Sequence, residues 1–427
     1  METIGIGLLG LGVVGTGVAQ VLREREAVIA TQIGAPLTLR RALIRNPEKP
    51  RPLPRELLTS DPQDILTDPK VHIVVEVMGG EQPALGYIRQ ALEAGKYVVT
   101  ANKEVMSKHG PDLLSLAWQN KVDIRFEGSV GGGIPLIAPF RLDLVANRIS
   151  AIHGIINGTT NFILTRMAQE GQDFAVALAQ AQKLGYAEAD PSNDVEGVDA
   201  TYKLSILATL AFRTWVRPEN VHREGIARLS DRDFRYAREL GYAIKLLAIG
   251  RLDDGGIQVR VHPTLLPQDK LLAKVDGVFN AVQVEGDLTG PVIFYGQGAG
   301  ARPTASAVVA DIINLAHDLI SGPRHRAPLL REPPLPLRPM SELRTRYYLR
   351  MSVADRPGVL AQIARVLGDN QISIASVIQK EVDDAAGRAE IVIMTHVAQE
   401  AAMQRALADV ARLSTVPEVS NFIRVEG

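Results

Sequence analysis

The 427-residue sequence contains no cysteine. This absence excludes disulfide bonds, thiolate metal sites and cysteine nucleophiles together. The sequence also has no run of 18 apolar residues, the minimum for a membrane-spanning helix. Its apolar beginning lacks the basic region of a secretory signal peptide. We therefore expect a cytoplasmic protein that does not cross a membrane.

The sequence also has no large excess of positive or negative charge. Lys and Arg number 47, Asp and Glu 48, and the formal net charge is −1. A chain so close to neutral has no broad field to attract nucleic acid or an anionic membrane surface. The eight histidines are scattered without metal-site spacing, so we assign no transition metal. Hydrophobic residues make up 46% and charged residues 22%, which is ordinary for a globular protein.

The N-terminal part alternates strand-like and helix-like segments. This alternation predicts βαβ units around a parallel sheet, in a first domain over residues 1–130. A helix at about 303–320 is expected to pack back on this domain. The predicted strands are Thr3–Leu9, Leu37–Ile44, Val71–Met78 and Tyr97–Thr100, and the helices are Val13–Arg25 and Pro83–Ala94.

The pattern changes from about Glu127, and residues 131–321 are predicted to form an α+β domain. Residues 322–345 are rich in proline and should form an extended linker, with Pro323 and Pro328 near its start. Residues 346–427 follow the order β-α-β-β-α-β, which is the ferredoxin-like arrangement. The helices predicted beyond residue 130 are Phe174–Leu184, Thr201–Phe212, Ala305–Ile320, Gly358–Leu367 and Glu400–Ala411. The strands of the last domain are Tyr347–Val353, Ile372–Gln379, Ala389–His396 and Val419–Val425.

Gly10, Gly12 and Gly15 spell G-x-G-x-x-G between the first strand and the first helix. The first glycine permits a tight turn, the second lets a pyrophosphate approach the backbone, and the third allows close packing. The helix N-terminus at Val13 and Val14 adds partial positive charge. A glycine turn without a ligand is the alternative, but the strand–turn–helix context favours a dinucleotide-binding, Rossmann-type domain.

The second strand is followed by Arg45 rather than by a carboxylate. An acidic residue at this place would bind the 2′-hydroxyl of NAD, whereas an arginine suits the 2′-phosphate of NADP. The sequence therefore favours NADP(H), with NAD(H) as a second cofactor. Alternatively, Arg45 is a solvated loop residue.

Two further segments carry charged residues where a ligand would bind. Thr100-Ala101-Asn102-Lys103 follows a strand of the first domain, at the carboxyl end where such sheets bind ligands. In the second segment Asp199 and Lys203 are four residues apart, in a helix expected to start near Asp194. Because the helix that follows is apolar nearly all round, these charges should be buried and therefore functional rather than a weak exposed pair.

The segment from Ala181 to Lys203 resembles the signature of the homoserine dehydrogenase family, A-x3-G-Y-A followed by D-P-x2-D-V-x-G-x-D-x3-K. The glycine motif, the T-A-N-K segment and residues 153–161 (HGIINGTTN) also occur in the family order. The resemblance covers about Gly5 to Ile320. It implies reversible hydride transfer between L-homoserine and L-aspartate 4-semialdehyde.

The resemblance also implies residue roles. Lys203 is implied as the proton donor to the carbonyl oxygen, with Lys103 and Asp199 beside it in the catalytic set. Glu188, Asp194, Asp199 and Thr159 are implied as substrate-binding residues. Gly298 and Gly300, in a second glycine turn, are implied to approach the cofactor together with Thr100 and Lys103. The loop around Gly131 resembles a family loop for a monovalent cation, Na+ or K+, with backbone carbonyls of Glu127, Val130, Gly132 and Ile134 as ligands.

Ala354 to Leu360 resembles the opening of an ACT domain, a module that binds amino acids. In the family the implied ligand is L-threonine, with Asp355, Gly358 and Val359 as contacts because helix N-terminal amides suit a carboxylate. A purely structural dimerisation module is the alternative. The resemblance further implies a homo-oligomer, and a single-function form because no kinase module precedes the glycine motif.

Three other functions agree with parts of the sequence. Aspartate semialdehyde dehydrogenase acts on the same aldehyde but needs a cysteine, which this chain lacks. An amino-acid sensor with a non-catalytic Rossmann domain would have no reason to keep Lys103, Glu188, Asp199 and Lys203. A related oxidoreductase for another small hydroxy amino acid can be separated only by a substrate test, because fold does not specify function.

Overall fold

A computed structural model describes residues 3–253, 255–322, 330, 333–383 and 387–427. The described chain forms two compact units: Met1–Ile152, Thr201–Val221 and Phe279–Leu335 form unit 1, and His153–Ala200, His222–Val278 and Pro336–Gly427 form unit 2. The chain passes from one unit to the other within β7 (Ile149–Ile155) and within α10 (Val198–Phe212). The domain boundaries drawn from the sequence stay predictions.

Strands and helices alternate regularly only in the N-terminal part. The other strands are β1 (Ile4–Leu9), β2 (Leu37–Leu43), β3 (Leu58–Thr59), β4 (Ile73–Glu76), β5 (Tyr97–Thr100), β6 (Ile124–Arg125), β8 (His222–Arg223), β9 (Tyr242–Asp253), β10 (Gly256–Pro267), β11 (Phe279–Gly286), β12 (Gly290–Gln297), β13 (Arg344–Ala354), β14 (Ile374–Asp383), β15 (Arg388–Thr395), β16 (Ala398–Gln399) and β17 (Glu418–Val425). The other helices are α1 (Val13–Glu24), α2 (Glu26–Ile33), α3 (Gln63–Leu66), α4 (Ala84–Glu93), α5 (Lys103–Gln119), α6 (Ile137–Arg141), α7 (Gly158–Glu170), α8 (Phe174–Lys183), α9 (Ser192–Val195), α11 (Asp231–Glu239), α12 (Ala301–Ser321), α13 (Val359–Asp369) and α14 (Glu400–Val410).

Unit 1 is built on a six-stranded sheet in the order β3-β2-β1-β4-β5-β6. All of its strand pairs are parallel, which confirms the predicted α/β fold with a parallel sheet. Every residue of β1, β4 and β5 is buried, as their unbroken apolar runs suggested. Because these strands are parallel, their carboxyl ends meet at one edge of the sheet.

Helix α12 packs on this sheet although about 200 residues separate it from β5. Ala305, Val308 and Ile312 share a buried core with residues of β1 and β2. At the start of α12, a Cβ on Gly17 of α1 would lie 2.9 Å from the Ala301 carbonyl oxygen, so the two helices are in close contact. Further along, Asp318 binds Arg125 at 2.9 Å. The helix is therefore an integral part of unit 1.

Unit 2 contains a sheet in which β17 lies between two different partners. It pairs with β10 in parallel and with β13 antiparallel, and the order continues as β9-β10-β17-β13-β15-β14. The segment from β13 to β17 follows the predicted β-α-β-β-α-β order. The helices of this segment bury Val359, Ile363 and Met403 against the sheet. The predicted ferredoxin-like fold is therefore confirmed.

The described part of the proline-rich segment is hydrogen-bonded to a strand and is therefore not a free linker. The Ile257 N–H donates to the Pro336 carbonyl and the Arg338 N–H donates to the Ile257 carbonyl, both at 2.8 Å. Leu337 thus forms a parallel bridge with the start of β10. This pairing needs only the one N–H of Arg338, so the neighbouring prolines do not prevent it. Pro323 and Pro328 lie outside the described residues.

None of the described helices combines the length and the apolar character that crossing a membrane would require.

A buried polar network in unit 2 connects α11 to the ferredoxin-like sheet. Asp233 is fully buried and accepts from Arg350 Nε at 2.7 Å, from Asn421 Nδ2 at 2.8 Å and from the Tyr348 hydroxyl at 3.3 Å. Arg350 also binds Glu390 at 2.8 Å. A buried guanidinium of this kind needs its carboxylates, since an unpaired buried charge is strongly destabilising.

We predict that Asp233→Ala lowers the free energy of unfolding by about 3–5 kcal/mol, because it removes one of the two carboxylates of the buried Arg350 and the shorter of the hydrogen bonds of Asn421. Urea unfolding followed by circular dichroism measures the change. Asp231→Ala, in the first turn of the same helix, is the matched control. It should lower the free energy of unfolding by about 0.5 kcal/mol or less. Equal losses in the two variants would contradict the assigned importance of the network.

Candidate active site

The glycine loop lies at the carboxyl end of β1 and opens α1. Gly10 has φ +105°, and a Cβ on Gly15 would lie 2.1 Å from the Gly10 carbonyl oxygen. A Cβ on Gly12 would meet no atom within 4 Å, so the space beside this residue is open. Gly12 caps α1 without a side-chain hydrogen bond, and Val13 beside it is exposed. The loop therefore fits a pyrophosphate, which would approach the backbone at Gly12.

Two arginines follow β2 in the sequence. Arg45, predicted from the sequence, is exposed just beyond the strand. Arg51, which was not predicted, donates from Nη1 to the Leu11 carbonyl in the glycine loop at 2.6 Å. The 40 residues between these partners explain why no local pattern revealed the contact. The glycine loop thus has a guanidinium fixed against it.

A buried carboxylate joins the ends of β4 and β5. Glu76 Oε2 accepts from the Thr100 hydroxyl at 2.6 Å, and its Oε1 accepts from the Met78 N–H at 2.8 Å. Asn102 donates its own N–H to Thr100 Oγ1 at 3.0 Å and its side-chain amide to the Gly80 carbonyl at 2.7 Å. Burial raises the pKa of the Glu76 carboxyl, and the hydrogen bond from Thr100 opposes that shift. Glu76 was not predicted from the sequence.

This network positions Lys103, the first residue of α5. The Asn102 side chain caps the helix by accepting from the Val105 N–H at 3.1 Å. Further along α5, Lys108 Nζ lies 5.7 Å from the centroid of the Tyr202 ring and is paired with Glu81 at 2.7 Å and Glu104 at 2.8 Å. Tyr202 directly precedes Lys203. Within unit 1 the structure therefore brings α5 next to the segment that carries the second predicted lysine.

In unit 2 one amide connects two of the predicted carboxylates. Asn157, only 5% exposed, donates from Nδ2 to Asp194 Oδ1 at 2.7 Å and to Asp199 Oδ2 at 2.9 Å. Its Oδ1 caps α7 by accepting from the Thr160 N–H at 2.8 Å. Asn157 is thus a site residue that was missed, although asparagine is one of the preferred N-cap residues.

The remaining predicted substrate residues lie near this cluster in sequence but are more exposed. Thr159 donates its hydroxyl to the Tyr186 carbonyl at 2.7 Å, and the Glu188 side chain is exposed while its carbonyl accepts from Gln182 at 3.1 Å. The predicted helix start near Asp194 is wrong. Gly197, with φ +77°, separates α9 from α10, so Asp199 lies in the first turn of α10 and Lys203 one turn later.

In unit 1 the loop around Gly131 is in contact with the turn that holds Gly298 and Gly300. A Cβ on Gly132 would lie 2.6 Å from the Gly298 carbonyl, and Gly300 caps α12 with φ +123°. The loop of the predicted cation site is held by the Glu127 carboxylate, which accepts from three successive N–H groups. The Glu127 N–H in turn donates to Asp311 at 2.8 Å. Burial raises the pKa of Asp311 to about 7. The predicted ligands Glu127, Val130, Gly132 and Ile134 thus share one tightly anchored turn.

The predicted regulatory residues surround the start of α13. Asp355 and Gly358 are exposed, and Gly358 caps the helix in a left-handed conformation, φ +89°, without a side-chain hydrogen bond. The Val359 side chain is buried in the core instead, so only its backbone could contact a ligand. The Asp355 N–H donates to the Gly387 carbonyl at 3.0 Å, which fixes the loop.

Three family models match consecutive parts of the chain. A model described as "Homoserine dehydrogenase, NAD binding domain" matches residues 10–127, one described as "Homoserine dehydrogenase" matches 135–313, and an ACT domain model matches 347–414. Together they include the glycine loop, the carboxylate and lysine segment and the loop at Asp355.

Curated proteins and solved structures agree with the family models. Homoserine dehydrogenases of Neisseria gonorrhoeae and Bacillus subtilis are 45% and 40% identical, with 100% of this chain and 99% of each protein aligned. A solved homoserine dehydrogenase from Thiobacillus denitrificans is 45% identical with a TM-score of 0.94, covering 100% of this chain and 99% of that one. A hyperthermophilic archaeal homoserine dehydrogenase in complex with NADPH is 30% identical with a TM-score of 0.64, covering 76% of this chain and 100% of that one.

We predict that Gly12→Ala weakens dinucleotide binding at least about tenfold without unfolding the protein. The new methyl group would occupy the open space where a pyrophosphate approaches, whereas the backbone of Gly12, at φ −82°, tolerates alanine. Fluorescence titration with the reduced dinucleotide measures the affinity, and thermal unfolding checks the fold.

Gly86→Ala is the matched control. A Cβ at Gly86 in α4 would meet only a flexible glutamine side chain, at 3.9 Å, so binding should not change. If Gly12→Ala bound the dinucleotide as tightly as the unsubstituted protein, the glycine loop would not hold the pyrophosphate.

Proposed function

The chain belongs to the homoserine dehydrogenase family, and on that premise we propose how its residues carry out the reaction. It is an oxidoreductase that catalyses the reversible NAD(P)-dependent reduction of L-aspartate 4-semialdehyde to L-homoserine. The observation that carries the residue assignment is Asn157, whose single amide holds Asp194 and Asp199 together just before Lys203.

The bound nicotinamide supplies or accepts the hydride. Hydride addition to the aldehyde carbon places negative charge on its oxygen, which needs both electrostatic stabilisation and a proton. Lys203 is the proposed proton donor in this direction and the acceptor from the homoserine hydroxyl in reverse. Its place on α10, one helical turn after Asp199, puts the two side chains on one helix face.

Lys103 is the second proposed catalytic lysine. It opens α5 at the carboxyl end of β5, where a doubly wound sheet binds its ligands. Glu76, Thr100 and Asn102 hold that end in place and exclude water around the carboxylate. The proposed effect of Lys103 is to add positive charge near the reacting oxygen.

The proposed contacts of the substrate amino group are carboxylates. Asn157 holds Asp194 and Asp199 close together, so that two negative charges lie at one place and would attract an ammonium group. Asn157 also reduces the repulsion between two neighbouring negative charges. Glu188 and Thr159 complete the proposed substrate set from the exposed segment that follows α8 and from the start of α7.

The proposed preference is for NADP(H), with NAD(H) as a second cofactor. Arg45 is exposed beyond β2, where an adenosine ribose binds, and no acidic residue directly follows the strand. The archaeal relative solved with NADPH supports this choice. A monovalent cation at the carbonyls of Glu127, Val130, Gly132 and Ile134 belongs to the same proposal, supported by the anchored turn that carries these residues.

For the ACT domain we propose L-threonine as the effector. Its carboxylate would meet the uncapped amides at the start of α13, and Asp355 would bind its ammonium group. A homo-oligomer and a cytoplasmic location are proposed on the same family grounds. The alternative of a non-catalytic sensor is not favoured, because the lysines and carboxylates of the family signature are all present.

We predict that Lys203→Met lowers kcat for aldehyde reduction by about 100-fold or more, the usual contribution of a general acid. Methionine keeps the length of the side chain and removes its proton and charge. The loss of NADPH absorbance on adding L-aspartate 4-semialdehyde measures the rate, and repeating it with NADH tests the cofactor preference.

Lys183→Met is the matched control for this variant, because Lys183 is an exposed lysine at the end of α8. It should keep the full rate. A Lys203→Met enzyme with unchanged kcat would remove Lys203 from the proposed role and leave the family assignment intact.

We predict that Asp355→Ala weakens L-threonine binding about tenfold or more, since a charge-assisted hydrogen bond to the ammonium is lost. Calorimetric titration measures binding, and threonine inhibition of the aldehyde assay reports its effect. Asp369→Ala, at the opposite end of α13, is the control and should bind normally. If the unsubstituted enzyme did not bind threonine, the alternative of a purely structural ACT module would gain support.

A further inference from the structure

A cavity in unit 2 is lined mainly by arginines. Its volume is about 120 Å³, several times the ~10–15 Å³ that one water molecule requires. Arg251 of β9, Arg260 of β10 and Arg344 and Arg346 of β13 line it, and Glu426, after β17, contributes the single carboxylate side chain. Four arginines thus line the cavity together with one carboxylate side chain and with Gly427.

Arg260 is the buried member of this set. It is 1% exposed, and its Nη2 binds Glu426 Oε2 at 2.8 Å. Among the described residues no acceptor lies within hydrogen-bond distance of its Nε or Nη1. Burial lowers the pKa of Arg260, and the nearby cations Arg251 and Arg424 lower it further against the opposing effect of Glu426. Two buried donors of a charged group therefore lack an acceptor, which is costly unless a ligand or water supplies one.

Glu426 binds Arg260 only through Nη2 and does not supply an acceptor to Nε or Nη1. Oε1 lies 3.2 Å from His153 Nε2 and 3.4 Å from Arg251 Nη1, while Oε2 binds Arg260. Arg344 and Arg346 have no carboxylate within 4.0 Å in the described part of the chain. The nearest aromatic partner of Arg346 is Tyr242, with the guanidinium carbon 5.9 Å from the ring centroid. Among the side chains that line the cavity, the four arginines therefore outnumber the single carboxylate.

We propose that this cavity binds a small oxyanion, a phosphate or carboxylate group, between the guanidinium groups of Arg260, Arg344 and Arg346. Guanidinium groups are the preferred protein partners of such anions because their paired donors match two anion oxygens. The ligand is either a free ion or the anionic group of a small metabolite. It would contact four adjacent strands, β9, β10, β17 and β13, and thereby stabilise the short parallel pairing of β10 with β17.

This site is separate from the one proposed for the ACT effector. Arg344 begins β13 and Asp355 follows the last residue of the same strand. Eleven residues of extended chain span roughly 35 Å. One small ligand therefore cannot occupy both places, and binding at each can be removed independently.

The test is calorimetric titration of inorganic phosphate into the full chain saturated with NADPH, which keeps phosphate out of the glycine loop. Glycerol phosphate and malonate are titrated in parallel to distinguish a free ion, a phosphate ester and a dicarboxylate. Arg344→Gln and Arg346→Gln should each raise the dissociation constant of the most tightly bound of these anions about tenfold or more. Arg365→Gln, an exposed arginine of α13, should leave it unchanged.

The proposal is overturned if no anion binds more tightly than chloride at equal ionic strength, or if Arg344→Gln and Arg346→Gln bind like the control. It is also overturned if Arg344→Gln changes only the oligomeric state in sedimentation, because the arginines would then bind a second copy of the chain. Thermal unfolding verifies that each variant is folded. Aldehyde reduction is measured separately, so failure here leaves the proposed catalytic roles unaffected.

Discussion

The hydrogen bonds of Glu76 determine the geometry of the cofactor edge of unit 1. A parallel sheet brings the ends of β1, β4 and β5 together, but it does not fix the loops that leave them. Glu76 does so by accepting from Thr100 on one oxygen and from the backbone beyond β4 on the other. Asn102 extends the connection to Gly80 and caps α5, so Lys103 begins a helix whose first turn is fixed. A carboxylate buried this deeply is costly, and its complete set of donors offsets that cost.

In unit 2 a neutral amide, that of Asn157, holds two acidic side chains in place. Asp194 and Asp199 come from α9 and α10, and two carboxylates so close would repel each other. Asn157 donates one N–H to each, and its oxygen is used to cap α7. The amide therefore fixes both acids without neutralising either of them. An aspartate at 157 would add a third charge, and a leucine would leave both acids without their donor.

Features with a local cause could be predicted from the sequence. The glycine loop, β5 and the order of elements after residue 346 follow from turn residues, apolar runs and their lengths. The long strands β9 and β10 were not predicted, because Tyr242–Asp253 and Gly256–Pro267 do not alternate clearly and are buried over most of their length. The start of α10 was placed too early although Gly197 marks the end of α9. Glu76, Arg51 and the arginine cavity depend on partners far apart in the chain, which no local pattern encodes.

The position of β17 has a consequence for anyone who would shorten this protein to remove the regulation proposed for its ACT domain. The last strand of the ferredoxin-like fold is also the neighbour of β10, so cutting the chain before β13 would not remove a separable module. It would remove the pairing of Thr264 and Leu265 with β17, uncover one edge of the buried strand β10 and leave Arg260 without Glu426. Such an edge is a template for aggregation. Point substitutions at the start of α13 are therefore a safer route to a desensitised enzyme than truncation.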